Sequence, residues 1–182
     1  MCSLGAGYGG WVPAPTSEVF PVPVQPSINL RPFQETDTAF FTGLATDERV
    51  TRFVGDGRPW APQAIQDRLR AALQQQPVEQ SGAVRWFIAV EAQEAVGLVV
   101  STRCDEGVEV GYWVSPEHWG RGVAGAMVDR AVATVPEIYG QVRLIARVDP
   151  ANAASARVLT RRGFELETSQ DGIDRYVLVQ TQ

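Results

Sequence analysis

The stretch that decides the fold is residues 109–124, Glu109-Val110-Gly111-Tyr112-Trp113-Val114-Ser115-Pro116-Glu117-His118-Trp119-Gly120-Arg121-Gly122-Val123-Ala124. Residues 108–114 are rich in β-branched and aromatic side chains, which predicts a strand that ends at Val114. From Gly122 to Val135 the apolar residues recur at helical spacing, which predicts a helix. The stretch is therefore a buried strand, a short loop and a glycine-rich helix start.

Such a helix start is suited to binding a phosphate group. The first amides of a helix have no partner within it, and the helix dipole gives them partial positive charge. Small residues at Gly120, Gly122 and Ala124 let a pyrophosphate approach this backbone closely, and Arg121 could add a direct charge. The glycines alone are equally explained by a tight strand-to-helix connection, so the prediction depends on their strand-loop-helix context.

The rest of the chain predicts a mixed α/β domain with the element order β-α-α-β-β-β-α-β-α-β-β. Helices are predicted from Thr36-Asp37 through Leu44, from Pro62 to the stop at Pro77, over 122–135 and over 152–162 with Gly163 as the C-cap. Strands are predicted at 28–33, 84–90, 95–102, 108–114, 142–148, 164–167 and 176–179. Short turns join 84–90, 95–102 and 108–114, which predicts an antiparallel meander.

Residues 1–27 differ from the rest of the chain. Their glycines and prolines disfavour a regular helix and predict an extended N-terminal segment outside the folded domain, which begins at residue 28. Tyr8, Trp11 and Phe20 are unusual in a linker. They suggest contact with the chain's own domain or with a second copy, so a homodimer is one predicted form.

Composition excludes several function classes. The net charge is −5 and none of the 16 basic residues is a lysine, which argues against a nucleic-acid partner and suits a cationic substrate. With His118 as the one histidine, and Cys2 and Cys104 as the two cysteines, we expect no metal site and no disulfide. No apolar run reaches the roughly 20 residues of a membrane span, and no signal peptide begins the chain, so we expect a cytoplasmic protein without a membrane partner.

These motifs together resemble the GCN5-related N-acetyltransferase (GNAT) superfamily, in particular its RimJ/RimL-like branch. Val114 followed by Trp119-x-x-Gly122-x-Ala124 matches the spacing of the family's Arg/Gln-x-x-Gly-x-Gly/Ala signature, with Trp119 replacing Arg or Gln. Residues 109–114 are similar to the branch's Glu-Ile-Gly-Tyr-Trp-Val strand. Downstream, Asn152-x-x-Ser155 leading to Gly163-Phe164 resembles a second family motif. The resemblance covers roughly residues 28 to 180.

The resemblance implies a fold and a cosubstrate. The fold is α/β (α+β), with a central mixed, mostly antiparallel sheet that splays between the fourth and fifth core strands and is flanked by about four helices, over residues 28–182. The cosubstrate is acetyl-CoA, with no metal. Its pantetheine arm would pair with the splayed strand, and its acetyl carbonyl would lie near the amides of Trp113 and Val114. The residues implied in coenzyme binding are Trp113, Val114, Trp119, Gly120, Arg121, Gly122, Val123, Ala124, Asn152 and Ser155.

The implied reaction is direct attack of a primary amine on the thioester in a ternary complex. Glu109 is the predicted base, with a solvent-facing strand glutamate as the alternative. Many relatives donate the thiolate's proton from a tyrosine at the position of Leu159. Here Ser155 is the predicted donor, unless its hydroxyl only bonds the helix backbone. Asn152 could contact the coenzyme, cap its helix, or do both.

Several assignments stay open. His118 is interpreted as a loop residue beside the coenzyme, and Trp119 as packing against the helix start. Arg49, Arg52 and Arg58 could bind a substrate carboxylate. The acceptor is either a protein N-terminus or a small amine. A non-catalytic acyl-CoA-binding sensor or interaction domain is the alternative function.

Overall fold

The computed structural model describes residues 26–74 and 76–179, in which one sheet of seven strands runs in the order β1-β2-β3-β4-β5-β7-β6. The strands are β1 Asn29–Pro32, β2 Val84–Glu91, β3 Glu94–Cys104, β4 Gly107–Val114, β5 Leu144–Val148, β6 Glu165–Gln170 and β7 Ile173–Leu178. All neighbours are antiparallel except β4 and β5, which are parallel. The predicted meander of β2, β3 and β4 is confirmed.

Strands β4 and β5 pair over a short distance and then separate. Their parallel register consists of Val108 opposite Leu144 and Glu109 opposite Ile145. Within the described residues, 110–114 of β4 have no register partner on β5, although β4 stays paired with β3 as far as Val114. The result is a cleft with one side formed by the edge of β4. The predicted mixed sheet with a splay between the fourth and fifth core strands is confirmed.

Helices cover both faces of the sheet. They are α1 Thr38–Thr46, α2 Glu48–Thr51, α3 Pro62–Leu73, α4 Val123–Tyr139 and α5 Ala153–Thr160, with 3-10 turns at Glu35–Asp37 and Pro116–His118. Phe41 of α1 and Ile65 of α3 pack with Trp86 and Leu98 in one core cluster. Met127 of α4 and Leu159 of α5 belong to a second cluster, on the opposite face.

Several element bounds differ from the prediction. Residues 36–37 belong to a 3-10 turn, and α1 begins after it. Helix α2 lies between the first two predicted helices, where no element is predicted, because the Asp47 side chain accepts the amide of Arg49 at 2.8 Å and caps the turn. Helix α4 passes the expected stop at Val135 and continues through Pro136. Its last turn packs Ile138 and Tyr139 on the core before Gly140, at φ 75°, ends it.

The start of α1 is anchored by one buried carboxylate. Asp37 is 6% exposed and accepts two hydrogen bonds from the Arg31 guanidinium, at 2.6 and 2.7 Å, and one from the Gln34 amide at 2.8 Å. The hydrogen bonds from Arg31, assisted by its charge and by the Gln34 amide, hold the pKa of Asp37 below its usual value against the opposing effect of burial. This pair ties β1 to α1.

Further predictions concern the cysteines, the N-terminal segment, membrane spans and metal ligands. Among the described residues, Cys104 is a free, half-buried thiol on β3. Cys2 and the aromatic residues of the predicted N-terminal extension lie outside the described residues. Within residues 26–74 and 76–179 no helix has both the length and the apolar character of a membrane span, and no three acidic, histidine or cysteine side chains cluster as metal ligands do.

Candidate active site

Strand β4 presents alternate residues to the two faces of the sheet. Val110, Tyr112 and Val114 contact the core beneath α4 and α5, whereas Gly111 and Trp113 line a cavity under α1 and α3. The backbone amides of β4 alternate as well, because successive N–H groups are directed to opposite neighbouring strands. The amide of Val108 donates to Arg143 beside β5, and the amide of Ser115 donates to Val96 on β3, each at 2.9 Å. By this alternation the even-numbered amides of β4, including that of Val114, are directed into the cleft.

The predicted phosphate turn lies at the end of this strand. Gly120 and Gly122 have φ angles of 75° and 83°, which are strained for any residue with a side chain, and Gly122 is the N-cap of α4. No side chain of the described residues caps this helix start. Val123 is buried and holds the turn against the core, while the amide of Ala126 begins the helical bonding to Gly122 at 3.1 Å. The amides before Ala126 are therefore available to an anion.

Two larger side chains flank the turn. The indole of Trp119 donates to the carbonyl oxygen of Val114 at 2.8 Å and remains 48% exposed, so it links the end of β4 to the turn. This bond is to the strand, so packing of Trp119 against the helix start stays a prediction. Arg121 is also exposed and pairs with Glu91 at 2.9 Å. The guanidinium is thus close to the turn but has an acidic partner on β2.

The side chain of Arg162, which follows α5, lies against the start of α4. Arg162 donates from Nε to the carbonyl oxygen of Gly125 at 2.7 Å and pairs with Asp129 at 2.8 Å. A Cβ atom at Gly125 would lie 2.1 Å from the Arg162 guanidinium, so a side chain there would displace it. Glycine at position 125 therefore gives the Arg162 guanidinium room to lie against the first turns of α4.

Ser155 lies in the first turn of α5, next to Tyr112 of β4. The side chain of Asn152 accepts the Ser155 amide at 3.1 Å, which confirms the predicted N-cap. The hydroxyl oxygens of Ser155 and Tyr112 are 2.7 Å apart. Burial raises the pKa of Tyr112, although the bond to Ser155 and the charge of Arg162 act in the opposite direction. The phenol is therefore protonated at neutral pH and able to donate.

Tyr112 is not among the predicted site residues, because it enters the sequence comparison only as one residue of the strand 109–114. The available signal is the period-2 pattern, which places Tyr112 on the same face as Val110 and Val114 and hence towards α5. At the position where relatives carry a tyrosine, Leu159 is 2% exposed and offers no donor.

A cavity of about 270 Å³ lies on the other face of β4. Its lining comprises Phe41, Val54, Trp60, Arg68, Ala71, Val84, Trp86, Leu98, Val100, Thr102, Glu109, Gly111 and Trp113. Glu109 is the acidic member of this set, and its Oε2 atom is 3.1 Å from a guanidinium nitrogen of Arg147 on β5. The carboxylate of Glu109 is thus partly enclosed, unlike that of a fully solvent-facing strand residue.

Aromatic rings form much of this cavity. The ring of Trp113 is nearly parallel to that of Phe41 at a centroid distance of 5.8 Å and meets Trp60 edge-on at 5.1 Å. Phe41 also contacts Trp86 edge-on at 4.6 Å. Such mutually supported rings have little freedom to rearrange, so they give the cavity a defined shape.

The arginines predicted to bind a substrate carboxylate do not line this cavity. Arg49 is exposed and pairs with Asp47 at 2.5 Å, Arg52 lies over the ring of Phe53 at 5.1 Å, and Arg58 is exposed. Arg68 of α3 lines the cavity instead, with its guanidinium 5.6 Å from the ring centre of Trp60. Sequence reasoning misses Arg68 because it lies in an amphipathic helix, where an arginine is usually solvated.

His118 is more buried than a loop position suggests. It ends the 3-10 turn Pro116–His118, and its side chain is 10% exposed. Its Nε2 atom is 3.8 Å from Glu94, and among the described residues its Nδ1 atom has no hydrogen-bond partner. His118 therefore packs beneath the loop that leads to the glycine turn.

Comparison with known proteins agrees with this geometry. The family model of the acetyltransferase (GNAT) domain matches residues 27–165. The protein YoaA of Bacillus subtilis (strain 168), described as an uncharacterized N-acetyltransferase, is 29% identical over 155 residues, which are 82% of this chain and 85% of YoaA.

Two solved structures share the fold. Spermidine N-acetyltransferase from Vibrio cholerae, in complex with CoA and spermine, has a TM-score of 0.71 and 19% identity over 84% of this chain and 95% of its own. Aminoglycoside acetyltransferase AAC(6')-Ib, in complex with coenzyme A, has a TM-score of 0.69 and 18% identity over 85% and 95%. With its splayed strands and glycine turn, and with the family model matching most of its length, this chain belongs to the GNAT family of acetyltransferases.

Proposed function

We propose that this protein transfers an acetyl group from acetyl-CoA to a primary amine by direct attack within a ternary complex. The observation that carries the proposal is the arrangement around β4. One face and the open edge of the strand lead to the glycine turn of α4, and the other face borders a cavity that contains Glu109. A thioester bound on one side and an amine bound on the other would meet at the end of this strand.

The coenzyme would bind mainly through backbone groups. Its pyrophosphate would accept hydrogen bonds from the first amides of α4, after Gly122, and its pantetheine arm would pair with the cleft edge of β4. The amide of Val114 is directed into the cleft, so we assign it to the oxyanion that forms on the acetyl group. The amide of Trp113 belongs to the ladder with β3, and its side chain belongs to the acceptor cavity.

Glu109 would prepare the amine for attack. A primary amine is mostly protonated at neutral pH, and its ammonium form has no lone pair to attack with. Val114 is five residues, or roughly 16 Å, further along the strand than Glu109, so Glu109 would accept that proton through a chain of water molecules in the cavity. The neutral nitrogen would then bond to the acetyl carbon as the carbon–sulfur bond breaks. The nitrogen loses a second proton in this step, which leaves an amide and a thiolate.

Ser155 would supply the proton that the thiolate needs. Because Tyr112 is protonated and 2.7 Å away, it can donate to the Ser155 oxygen while the Ser155 hydroxyl hydrogen is directed to sulfur. The Asn152 cap holds the helix turn that carries Ser155. Coenzyme A then leaves as the thiol. Of the two protons that the ammonium nitrogen loses, one balances the proton delivered to sulfur and the other is released to solvent.

The acceptor is either a protein N-terminus, as the similarity to the RimJ/RimL-like branch suggests, or a small amine. The solved relatives named for spermidine and for aminoglycosides support the small amine. A homodimer, suggested by the aromatic residues of the N-terminal segment, remains part of the proposal.

The decisive experiment incubates the full chain with acetyl-CoA and a panel of amines, measuring free thiol and the mass of the product. Ser155→Ala should lower turnover about tenfold or more, since general acid catalysis by a positioned group contributes at least that much. Thr160→Ala is the matched control, because that exposed hydroxyl on the same helix bonds only the backbone oxygens of Ala156 and Arg157. Equal turnover in wild type and Ser155→Ala would contradict the role given to Ser155.

The buried Leu159 favours a second candidate, a non-catalytic acyl-CoA-binding domain. That position has no proton donor, so a chain without any other donor would bind the thioester and leave it intact. Calorimetry separates the two candidates. Acetyl-CoA binding without thiol release or acetylated product for any amine would favour the binding domain.

A further inference from the structure

We propose that the acceptor is a small amine with an aromatic body and one anionic group at the end remote from the amine. The inference rests on the proposed function, since it takes the cavity beside β4 as the place where the amine binds. Three properties of this cavity carry it: its aromatic walls, the position of its two charged side chains, and its size.

The walls select a flat apolar body. Trp60 and Trp113 are partly exposed and meet edge-on at 5.1 Å, while the fully buried Phe41 lies nearly parallel to Trp113 at 5.8 Å and supports it. Rings held in this way present faces and edges to a further ring, which gains edge-to-face or offset-stacked contacts in addition to burial. A hydrophilic acceptor would leave its hydroxyl or amino groups without partners against these rings.

The two charges in the lining have opposite sign and lie in different elements. Glu109 is on β4, where the amine must lose its proton, and Arg147 already partners one of its oxygens. Arg68 is on α3, separated from Trp113 by the ring of Trp60. Within the described residues no carboxylate lies within 4.0 Å of the Arg68 guanidinium. A carboxylate on the acceptor would give Arg68 the planar partner that its geometry favours.

The same charges disfavour a polycation. Spermine, which is bound in the V. cholerae relative, would bring several ammonium groups to a cavity whose one carboxylate already has an arginine partner. Its additional charges would meet Arg68. At about 270 Å³ the cavity is also slightly below the range of roughly 300–1,000 Å³ typical of sites for drug-sized ligands, which suits an acceptor near the size of an amino acid.

The test compares four acceptors at saturating acetyl-CoA, measuring kcat/KM by thiol release and by product mass. Para-(aminoethyl)benzoate has the amine, the ring and the remote carboxylate; phenylethylamine lacks the carboxylate; aminohexanoate lacks the ring; spermidine is the polycation. We expect para-(aminoethyl)benzoate to exceed each of the others by about tenfold or more, the effect of one charge-assisted interaction or one ring contact.

A variant then tests the role of Arg68. Arg68→Gln should lower kcat/KM about tenfold for para-(aminoethyl)benzoate and leave that for phenylethylamine within about twofold. Arg70→Gln, two residues along the same helix, is the matched control, because Arg70 pairs with Asp67 and does not line the cavity. The kcat/KM values of Arg70→Gln should equal those of wild type for both amines.

The outcomes separate this inference from the proposed function. If phenylethylamine or spermidine is acetylated as efficiently as para-(aminoethyl)benzoate, or if Arg68→Gln affects all acceptors alike, the inference is overturned while acetyl transfer to amines stands. If calorimetry shows that acetyl-CoA binds but none of the four amines is acetylated, the inference is overturned, and the wider panel of amines decides separately whether acetyl transfer stands.

Discussion

The two faces of β4 are built by different means. On the face towards α4 and α5, glycines with positive φ angles, exposed helix amides and the open strand edge form the candidate coenzyme site. On the face towards α1 and α3, large rings and two charged side chains form the candidate acceptor site. The first face depends on backbone conformation and the second on side-chain identity. Because of this difference, a variant can be chosen that disturbs one site and leaves the other intact.

The largest expected effect is on the acceptor face. Glu109→Gln should lower kcat by about a hundredfold or more, because removing a general base costs roughly 10²–10⁴ in rate, while the Kd of acetyl-CoA stays unchanged. Steady-state kinetics and calorimetry measure the two quantities. Glu167→Gln is the control, since this arginine-paired glutamate lies on β6 outside the cavity. A wild-type kcat for Glu109→Gln would return Glu109 to the role of a strand surface residue.

The next effect is on the coenzyme face. Gly122→Val should weaken acetyl-CoA binding about 10–100-fold, because a β-branched residue at φ 83° costs on the order of 1–3 kcal/mol and shifts the amides at the start of α4. Gly140→Val imposes similar strain at φ 75° at the other end of the same helix and should not change the affinity. If both variants bind acetyl-CoA like wild type, the phosphate turn is assigned wrongly.

A smaller effect tests the contact between β4 and α5. Tyr112→Phe should lower kcat about tenfold with unchanged acetyl-CoA affinity, because Ser155 loses its donor. The double variant with Ser155→Ala should lose no more than Ser155→Ala alone, since two groups in one relay are not additive. Additive losses would show that Tyr112 acts independently of Ser155.

The same pair sets a pH dependence. The pKa of Tyr112 lies above its ordinary value of 10.0, so the phenol keeps its proton throughout the neutral range. The ratio of kcat between wild type and Tyr112→Phe should therefore be constant from pH 7 to about pH 9. A ratio that falls within this range would contradict the protonated relay.

The smallest expected effect on activity is that of Asp37, whose ion pair with Arg31 ties β1 to α1. Asp37→Asn should lower the free energy of unfolding by about 1–2 kcal/mol at pH 7, by removing a charge-assisted pair with Arg31, while kcat stays within twofold. Because the pKa of Asp37 is lowered on folding, its stabilisation is present above the ordinary value of 3.8 and is lost as pH falls through the folded value. The difference between variant and wild type should therefore shrink at pH 3 in urea titrations.

Asp67→Asn gives the matched control for that measurement. Asp67 is exposed and pairs with Arg70 at 3.1 Å, an arrangement that contributes little to stability. Its unfolding free energy should differ from wild type by less than about 0.5 kcal/mol at either pH. An equal loss in both aspartate variants would mean that the Arg31 pair has no special role.

The coenzyme face is predicted from sequence better than the acceptor face, for a physical reason. The turn from Gly120 to Ala124 and the cap at Asn152 are local features, with signals within a few residues of each other. The splay of the sheet is predicted through resemblance to the family, because short-range patterns do not specify where two distant strands separate. Helix α2 and the last turn of α4 are missed because capping by Asp47 and packing of Ile138 outweigh composition.

The acceptor face depends on contacts between distant parts of the chain. Nothing in the local pattern around Trp60 or Arg68 indicates that they meet Trp113, because that meeting depends on how α3 lies across the sheet. The contact of Tyr112 with Ser155 likewise joins a strand to a later helix. Such contacts can be identified only in the folded structure, because they depend on how the helices are placed on the sheet.

The alternation along β4 also bears on how this enzyme could change its acceptor. Substitutions at positions 111 and 113 alter one face and leave the backbone of the other intact, so acceptor preference can diverge, or be redesigned, by point mutation alone. An insertion or deletion of one residue within β4 is different, since it would exchange the two sets of side chains between the faces. We therefore expect directed evolution to tolerate many side chains at these two positions but to conserve the length of the strand.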